Sequence, residues 1–592
     1  MKEQEFHMFI LIPILISTIA VADVHIQDVA PETTIAVIST DNMGNIINSL
    51  ESMGVCDSVC ELVSTINGED EASRLAEEFN EMFITLGIDK ASLSPPTGSA
   101  GFAIYPVVDY EIGSVGIGLL GLVDVRWVLG CDDIFNNFGQ FLATTDGAET
   151  VNIAGQDVWM IDISKVSEFD NEIGVATPHS WADEFGMFDR AYIALSDGRL
   201  IFGTEPDAIG SAFAALEGDP EEGMLADHPD YLELLNRCGD GDMFGAVLLT
   251  NLADTVVQMD ESGMAMMFMP TIKNIFGDVD GIAESITVAP TSDVLLNATY
   301  TILMNEGRSG LLGLIGENSS PQEIPSFVQT DAITYTQGQI DFDKFVPLIR
   351  DIISNDPMLS MQLGSQVEQM ESGFNLFLNP LGSKYHVFST GQLPFDADSV
   401  GYLVAIECKD EKAFSNALGA SLPQMGAVPS DFLGNQIFTI DLGAMVPMPM
   451  PMPLEISISV GAGYALLGTT HTVEQALRTI SNPKNHKSND SNPMASLFPR
   501  DDVSAWGYSD LAKSIELQTA MNNSMSEGMF EEMEAFDPVM AAEMREEFAQ
   551  SAKLQNQITE ILTSMMGPMS YIMTTDESGI TSHAIMFQPG SD

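Results

Sequence analysis

Apolar and polar residues alternate in short runs along the chain, separated by stretches whose apolar positions recur every three or four residues. The first pattern predicts half-buried strands and the second amphipathic helices. The order of these runs then repeats. Residues 147–164, GAETVNIAGQDVWMIDIS, align without a gap on residues 426–443, GAVPSDFLGNQIFTIDLG. Gly147/Gly426, Ala148/Ala427, Gly155/Gly434, Ile161/Ile440 and Asp162/Asp441 are identical. Each stretch reads as strand, with Gly155-Gln156 or Gly434-Asn435 as its turn signal.

The match extends in both directions. Thr34 to Ile38 and Ala332 to Thr336 are extended apolar openings, each entering a helix behind Asp41 or Asp341 as the expected cap. More polar helical stretches follow at residues 71–86 and 358–374. Strands at 119–127 and 401–408 each lead into a helix, at 132–142 or 411–422. AYIALSDGRLIFGT (191–204) matches ISISVGAGYALLGT (456–469), and both read as hairpins turning at Ser196-Asp197-Gly198 and Gly461-Ala462-Gly463. Short helices at 206–216 and 472–480, strands at 244–249 and 503–508, Met-rich helices, and closing hairpins at 285–302 and 570–587 complete each series. Strands joined by short turns imply antiparallel sheet. The predicted fold is therefore α+β: two tandem copies, residues 31–306 and 327–589, each a mainly antiparallel sheet with helices on one face. The stretch between them, 307–326, is rich in glycine, and its apolar Leu311–Ile315 is expected to dock.

Composition narrows the function. The chain has 592 residues and a formal net charge of −64, from 86 Asp and Glu against 22 Lys and Arg. Charged residues are 18%, against about 25% in an average protein, so cations are missing more than acids are added. Nucleic-acid binding needs clustered cations and is excluded as a partner class, as is an anionic membrane surface. The charge fits a salty medium, where repulsion is screened, or cation binding. Phe9 to Ala22 is apolar but short for a membrane span, and Ala20-Val21-Ala22 fits a small-x-small cleavage site. Residues 1–22 are thus expected to be a signal peptide cleaved after Ala22, with an uncleaved anchor as the alternative. Cys56, Cys60, Cys131, Cys238 and Cys408 are too few for a disulfide framework in a chain this long. Cys56 and Cys60, four apart in a predicted helix, read as a local disulfide or two buried thiols.

The exported start, the opening Pro31-x-Thr33-Thr34-x-Ala36-x-Ile38 strand and the run VGYLVAIECKDEKAFSNAL from Val400 to Leu418 resemble a family of large exported bacterial proteins known only as a domain of unknown function. The resemblance spans nearly the whole mature chain. It implies an exported, duplicated α+β protein and carries no catalytic residues to transfer.

Candidate chemistry is sparse. Gly116-Ile117-Gly118-Leu119-Leu120-Gly121 matches G-x-G-x-x-G, but the downstream residues Leu122 to Val128 read as strand instead of helix, and the second copy lacks the glycines. The better reading is a strand entry softened by glycine. His25, His179, His228, His386, His471, His486 and His583 are scattered, with no pair at helical ligand spacing. Asp240-Gly241-Asp242 and Asp278-Val279-Asp280-Gly281 are acidic turns without a calcium loop. The chain holds 35 Met. Pro447 to Pro453 alternates Met448, Met450 and Met452 with proline; polyproline geometry turns these thioethers apart, against a copper site. In the first copy Lys165 to Arg190 occupies the same loop with unrelated sequence, which suits partner contact. The clusters Met264–Met269 and Met521–Met569 read as core filler, and Met529, Met533, Phe536 and Met540 form a stripe expected to pack on the chain's own sheet or on a partner helix. No catalytic, metal or cofactor residues are assigned. The expected function is a non-enzymatic, exported structural or binding role at the cell envelope or outside the cell, with an unrecognised partner. The alternatives are a hydrolase-type enzyme with a site between the copies, or a carrier of an apolar ligand or soft metal.

Overall fold

The computed structural model describes residues 24–52, 98–109, 114–126, 130–145, 147–166, 189–218, 223–260, 262–291, 293–392, 399–441, 455–482, 499, 501–536 and 538–589. Residues 1–22 expected to be a signal peptide, Cys56 and Cys60, the helix expected at 71–86, the Met-Pro loop and most of the Lys165–Arg190 loop lie outside them. The chain divides into two compact units, the first holding the residues up to Met269 together with Val279–Pro290 and Ala298–Leu303, the second the remainder. The fold is α+β with antiparallel strand pairing throughout the registers described.

In the first unit a short helix, α1 (Ile26–Val29), precedes β1 (Ala36–Thr40) and α2 (Met43–Ser52). Asn42, not Asp41, caps α2, accepting the Asn45 N–H at 3.1 Å; Asp41 instead pairs with His25 at 3.1 Å. Then come β2 (Ala100–Asp109), β3 (Ser114–Asp124), α3 (Cys131–Leu142), β4 (Ala148–Ile153), β5 (Gln156–Asp162), β6 (Arg190–Ser196), β7 (Arg199–Gly203), α4 (Pro206–Leu216), α5 (Pro229–Cys238), β8 (Met243–Leu248), α6 (Leu249–Met259), α7 (Met264–Phe276), β9 (Gly281–Thr291) and β10 (Val294–Leu303), of which Pro270–Phe276, Thr291 and Val294–Asn297 belong to the second unit. The pairings give the order β4-β5-β6-β7-β3-β2-β1-β8-β9-β10.

The second unit has β11 (Thr334–Gln339), α8 (Phe345–Asn355), α9 (Val367–Leu378), β12 (Leu381–Gly391), β13 (Val400–Cys408), α10 (Glu411–Ser421), β14 (Val428–Phe432), β15 (Asn435–Asp441), β16 (Glu455–Gly461), β17 (Tyr464–Gly468), α11 (Thr470–Ser481), β18 (Ala505–Asp510), α12 (Leu511–Phe536), α13 (Pro538–Met565), β19 (Pro568–Asp576) and β20 (Gly579–Phe587). Its order is β14-β15-β16-β17-β13-β12-β11-β18-β19-β20. Adding ten to each strand number of the first unit reproduces it.

Two-residue turns set the registers. Ala154-Gly155, Asp197-Gly198, Leu433-Gly434 and Ala462-Gly463 all have positive φ at both positions, the geometry that matches strand twist in a tight hairpin. The first and third turn one residue earlier than the glycine signal implied.

Helices cover both faces of the sheet, where one covered face was expected. Neighbours on a strand point to opposite sides. On β17, Leu466 packs in one cluster with Val473, Ala476 and Leu477 of α11, while Ala465 packs in another with Phe414 and Leu418 of α10. On β3, Leu122 joins the cluster holding Ile209 and Phe213 of α4, and Val123 the one beside Cys131 of α3. These strands are apolar on both faces, so both need cover.

The glycine-rich stretch after β10 is strapped to the second unit. Arg308 donates to the Ile315 carbonyl at 2.7 Å and the Asp576 carbonyl at 3.0 Å, and pairs with Glu317 at 2.6 Å. Asp341 N–H donates to the Leu314 carbonyl at 2.7 Å, and Leu314 is buried. Ser319 and Val503 exchange backbone hydrogen bonds of 3.0 and 2.9 Å.

Candidate functional site

The glycine motif lies inside β3, paired along its length with β2. A side chain at Gly118 would strike the Tyr105 ring, and one at Gly121 the Phe202 ring. Close packing explains these glycines, and the motif does not sit at a helix N-terminus. The acidic turns are likewise occupied by the protein itself. Asp242 accepts the Val288 N–H at 2.8 Å. Asp278 pairs with Lys273 at 2.6 Å. Among the described residues, no three His, Cys, Asp or Glu side chains are grouped to hold a metal ion. His228 caps α5, accepting the Asp230 N–H at 3.2 Å. Cys131, Cys238 and Cys408 are free thiols.

One histidine is placed differently. His386, Gln337 and Trp506 stand in a row across β12, β11 and β18, which puts them on one face. His386 is only 1% exposed. Its Nδ1 lies 3.0 Å from the Tyr335 hydroxyl and its Nε2 3.0 Å from Gln322 Oε1 on the strap. Phe327, Tyr335 and Tyr464 surround the ring, with centroids 5.8 to 6.3 Å away. Burial, with Lys384 nearby, lowers the His386 pKa to about 4, so the ring is neutral at neutral pH. A neutral imidazole bonding Gln322 Oε1 carries its proton on Nε2, which leaves Nδ1 to accept the Tyr335 O–H. Tyr335 itself is held protonated by burial, with Tyr464 adding to the effect. At the matching place in the first unit the row is Gly101, Ser39 and Phe244, and Ile26 fills the space above Gly101.

In the sequence His386 is one of several scattered histidines. The available signal was the alternation in Tyr335-Thr336-Gln337, which places two polar-tipped side chains inward beside a buried histidine. A cleft of about 20 Å³ adjoins this row, lined in part by Ser319, Gln322, Gln337, Lys384 and Ser504. Gln337 is 5% exposed, and among the described residues its Nε2 has no hydrogen-bond partner. Such a volume admits about one water molecule, which is too little for a substrate. The row is a structural polar core that ties the strap to the sheet.

No protein-family model, curated protein or solved structure matches the chain.

Surface helices are where the chain departs most from a globular norm. Met264, Met266, Met267, Phe268, Ile272 and Phe276 of α7 are all exposed, Met266 at 68%, and no residue of that helix is buried. Pro270 lies inside the helix, where its ring removes a backbone hydrogen bond. In the second unit α12 and α13 form a hairpin. As α12 advances its partners on α13 recede: Thr519 bonds Thr559 at 2.9 Å, Asn523 bonds Asn556 at 3.3 Å, and the Phe530 and Phe548 rings lie 5.3 Å apart. Phe530, at 2% exposed, and Ala541 are the seam, while Met529, Val539, Met540 and Met544 stay exposed. Of the Met clusters read as core filler, the described methionines are exposed or half-buried and none is fully buried. Among the described residues, no helix is long and apolar enough to cross a membrane.

Proposed function

We propose that the protein is an exported, non-enzymatic binding protein that acts at the cell envelope or outside the cell and holds its partner through Met-lined helix faces. The observation that carries this reading is α7, on which Met264, Met266, Met267, Phe268, Ile272 and Phe276 are each exposed and no residue is buried. Contiguous exposed apolar surface is uncommon on monomers and marks interaction sites. Methionine suits such a surface because its unbranched thioether side chain adapts to different partners. The leader-like start and the resemblance to large exported proteins support the location. The cation-poor composition disfavours nucleic acid and anionic membranes as partners.

Native mass spectrometry of the protein purified from its own source tests the proposal. A stoichiometric added mass is expected in the wild type and is expected to be lost in Met266→Asp/Met267→Asp, with the thermal melt unchanged. A bare polypeptide in the wild type, or an added mass indifferent to the double substitution, counts against it.

A further inference from the structure

We infer that the far end of the α12–α13 hairpin binds a cationic amphipathic helix of a partner protein. The inference rests on the binding-protein reading and names a partner class for a second apolar face. The hairpin is long: helices of 26 and 28 residues extend about 40 Å at about 1.5 Å per residue. Its root lies against the sheet, where Leu517 packs beside Gly391 at the end of β12. At the far end the chain reverses at Pro538, which opens α13. Proline is accepted at a first helical position and cannot continue the preceding helix.

Two features of that end point to the occupant. The first is its apolar content. Val539 is 69% exposed, Met540 51%, and Met529 and Met544 are exposed beside them. Within the hairpin Phe530 and Ala541 are buried and the Phe530 and Phe548 rings meet, whereas these four side chains are exposed. The second is charge. Residues 524–550 hold eight Asp and Glu and a single cation, Arg545. That cation is spent within the hairpin: its guanidinium lies 3.3 Å from Glu534 and 5.9 Å from the centre of the Phe530 ring. Glu527 and Glu534 are exposed. Exposed methionines on a segment with eight acids against one cation match a helix with one apolar face and flanking Lys or Arg, since the apolar anchors supply affinity and the charges supply steering and orientation. Anionic partners are repelled by the same acids.

The test uses the full chain and an 18-residue Leu/Lys amphipathic peptide, with a Leu/Glu peptide and a scrambled Leu/Lys peptide as controls, read by fluorescence anisotropy. The expected result is binding of the Leu/Lys peptide alone, weakened on raising NaCl from 0.02 to 0.5 M. Met540→Gln/Met544→Gln is expected to weaken it at least tenfold with the far-ultraviolet circular dichroism unchanged. Leu232→Gln on α5, at an exposed leucine outside both Met-lined faces, is expected to leave it as in the wild type. Absence of binding, equal binding of the Leu/Glu peptide, or indifference to the hairpin substitutions would overturn the inference. So would dimerisation lost in the hairpin variant, or co-sedimentation with phosphatidylcholine vesicles in place of peptide binding; these would assign the end to a second copy or a bilayer. A native added mass without peptide binding overturns the partner class alone. A bare chain without peptide binding overturns the binding-protein reading as well.

Discussion

His386 shows how much one residue's surroundings decide. Its folded pKa is lowered to about 4, by burial first and by Lys384 second, against about 6.5 in an unfolded chain. Between these values the unfolded chain binds the proton more tightly, so stability falls as pH falls through that window and is fully present above it. Comparing wild type with His386→Gln isolates this contribution from the carboxylates. The stability difference between them is expected to shrink by about 2 to 3 kcal/mol from pH 7 to pH 4.5, read from urea unfolding at each pH. A constant difference would mean that His386 is solvated. A second residue-scale expectation concerns Leu433, exposed and at φ 55° in its turn. The left-handed region costs a branched side chain about 1 kcal/mol, and asparagine tolerates it. Leu433→Asn is expected to raise stability by about 1 kcal/mol, seen as a higher urea midpoint with unchanged slope. The turn itself was legible in the dipeptide pattern; the buried row around His386 was not, because the strap bringing Gln322 to it is a tertiary contact across 64 residues.

Elements were legible where local chemistry decides them. The two central hairpins appeared in the sequence as alternating apolar runs around glycine, and β6, β7, β16 and β17 follow those runs. The helix hairpin was legible only in part. Helical spacing gave helices at α12 and α13, with the methionine stripe expected to pack on the chain's own sheet or on a partner helix; within the hairpin the structure buries Phe530 and leaves Met529 and Met540 exposed. Two stripes on one helix compete for burial, and only the partner helix chooses between them. Phe530→Ala is therefore expected to cost about 3 to 5 kcal/mol locally and to speed hydrogen exchange across residues 511–565. Met540→Gln is expected to change stability by less than about 0.5 kcal/mol. If both substitutions destabilise alike, the methionines belong to the seam.

For the whole molecule the dominant quantity is charge. A net −64 on 592 residues repels itself, and repulsion between exposed charges is screened as the Debye length falls from about 30 Å at 0.01 M salt to about 3 Å at 1 M. The melting temperature is expected to rise over that range of NaCl at pH 7, by scanning calorimetry; a flat or falling curve would show that repulsion does not limit this fold. By itself the sequence determined the strand and helix periods, the tight turns and this charge, because each depends on neighbours in the chain or on a simple sum. Tertiary structure alone decided which faces are covered. That both sheet faces carry helices, that His386 is sealed beneath the strap, and that the methionines of α7 and of the hairpin end stay outside are outcomes of competition between distant segments for the same apolar surface, and no local pattern records which segment wins.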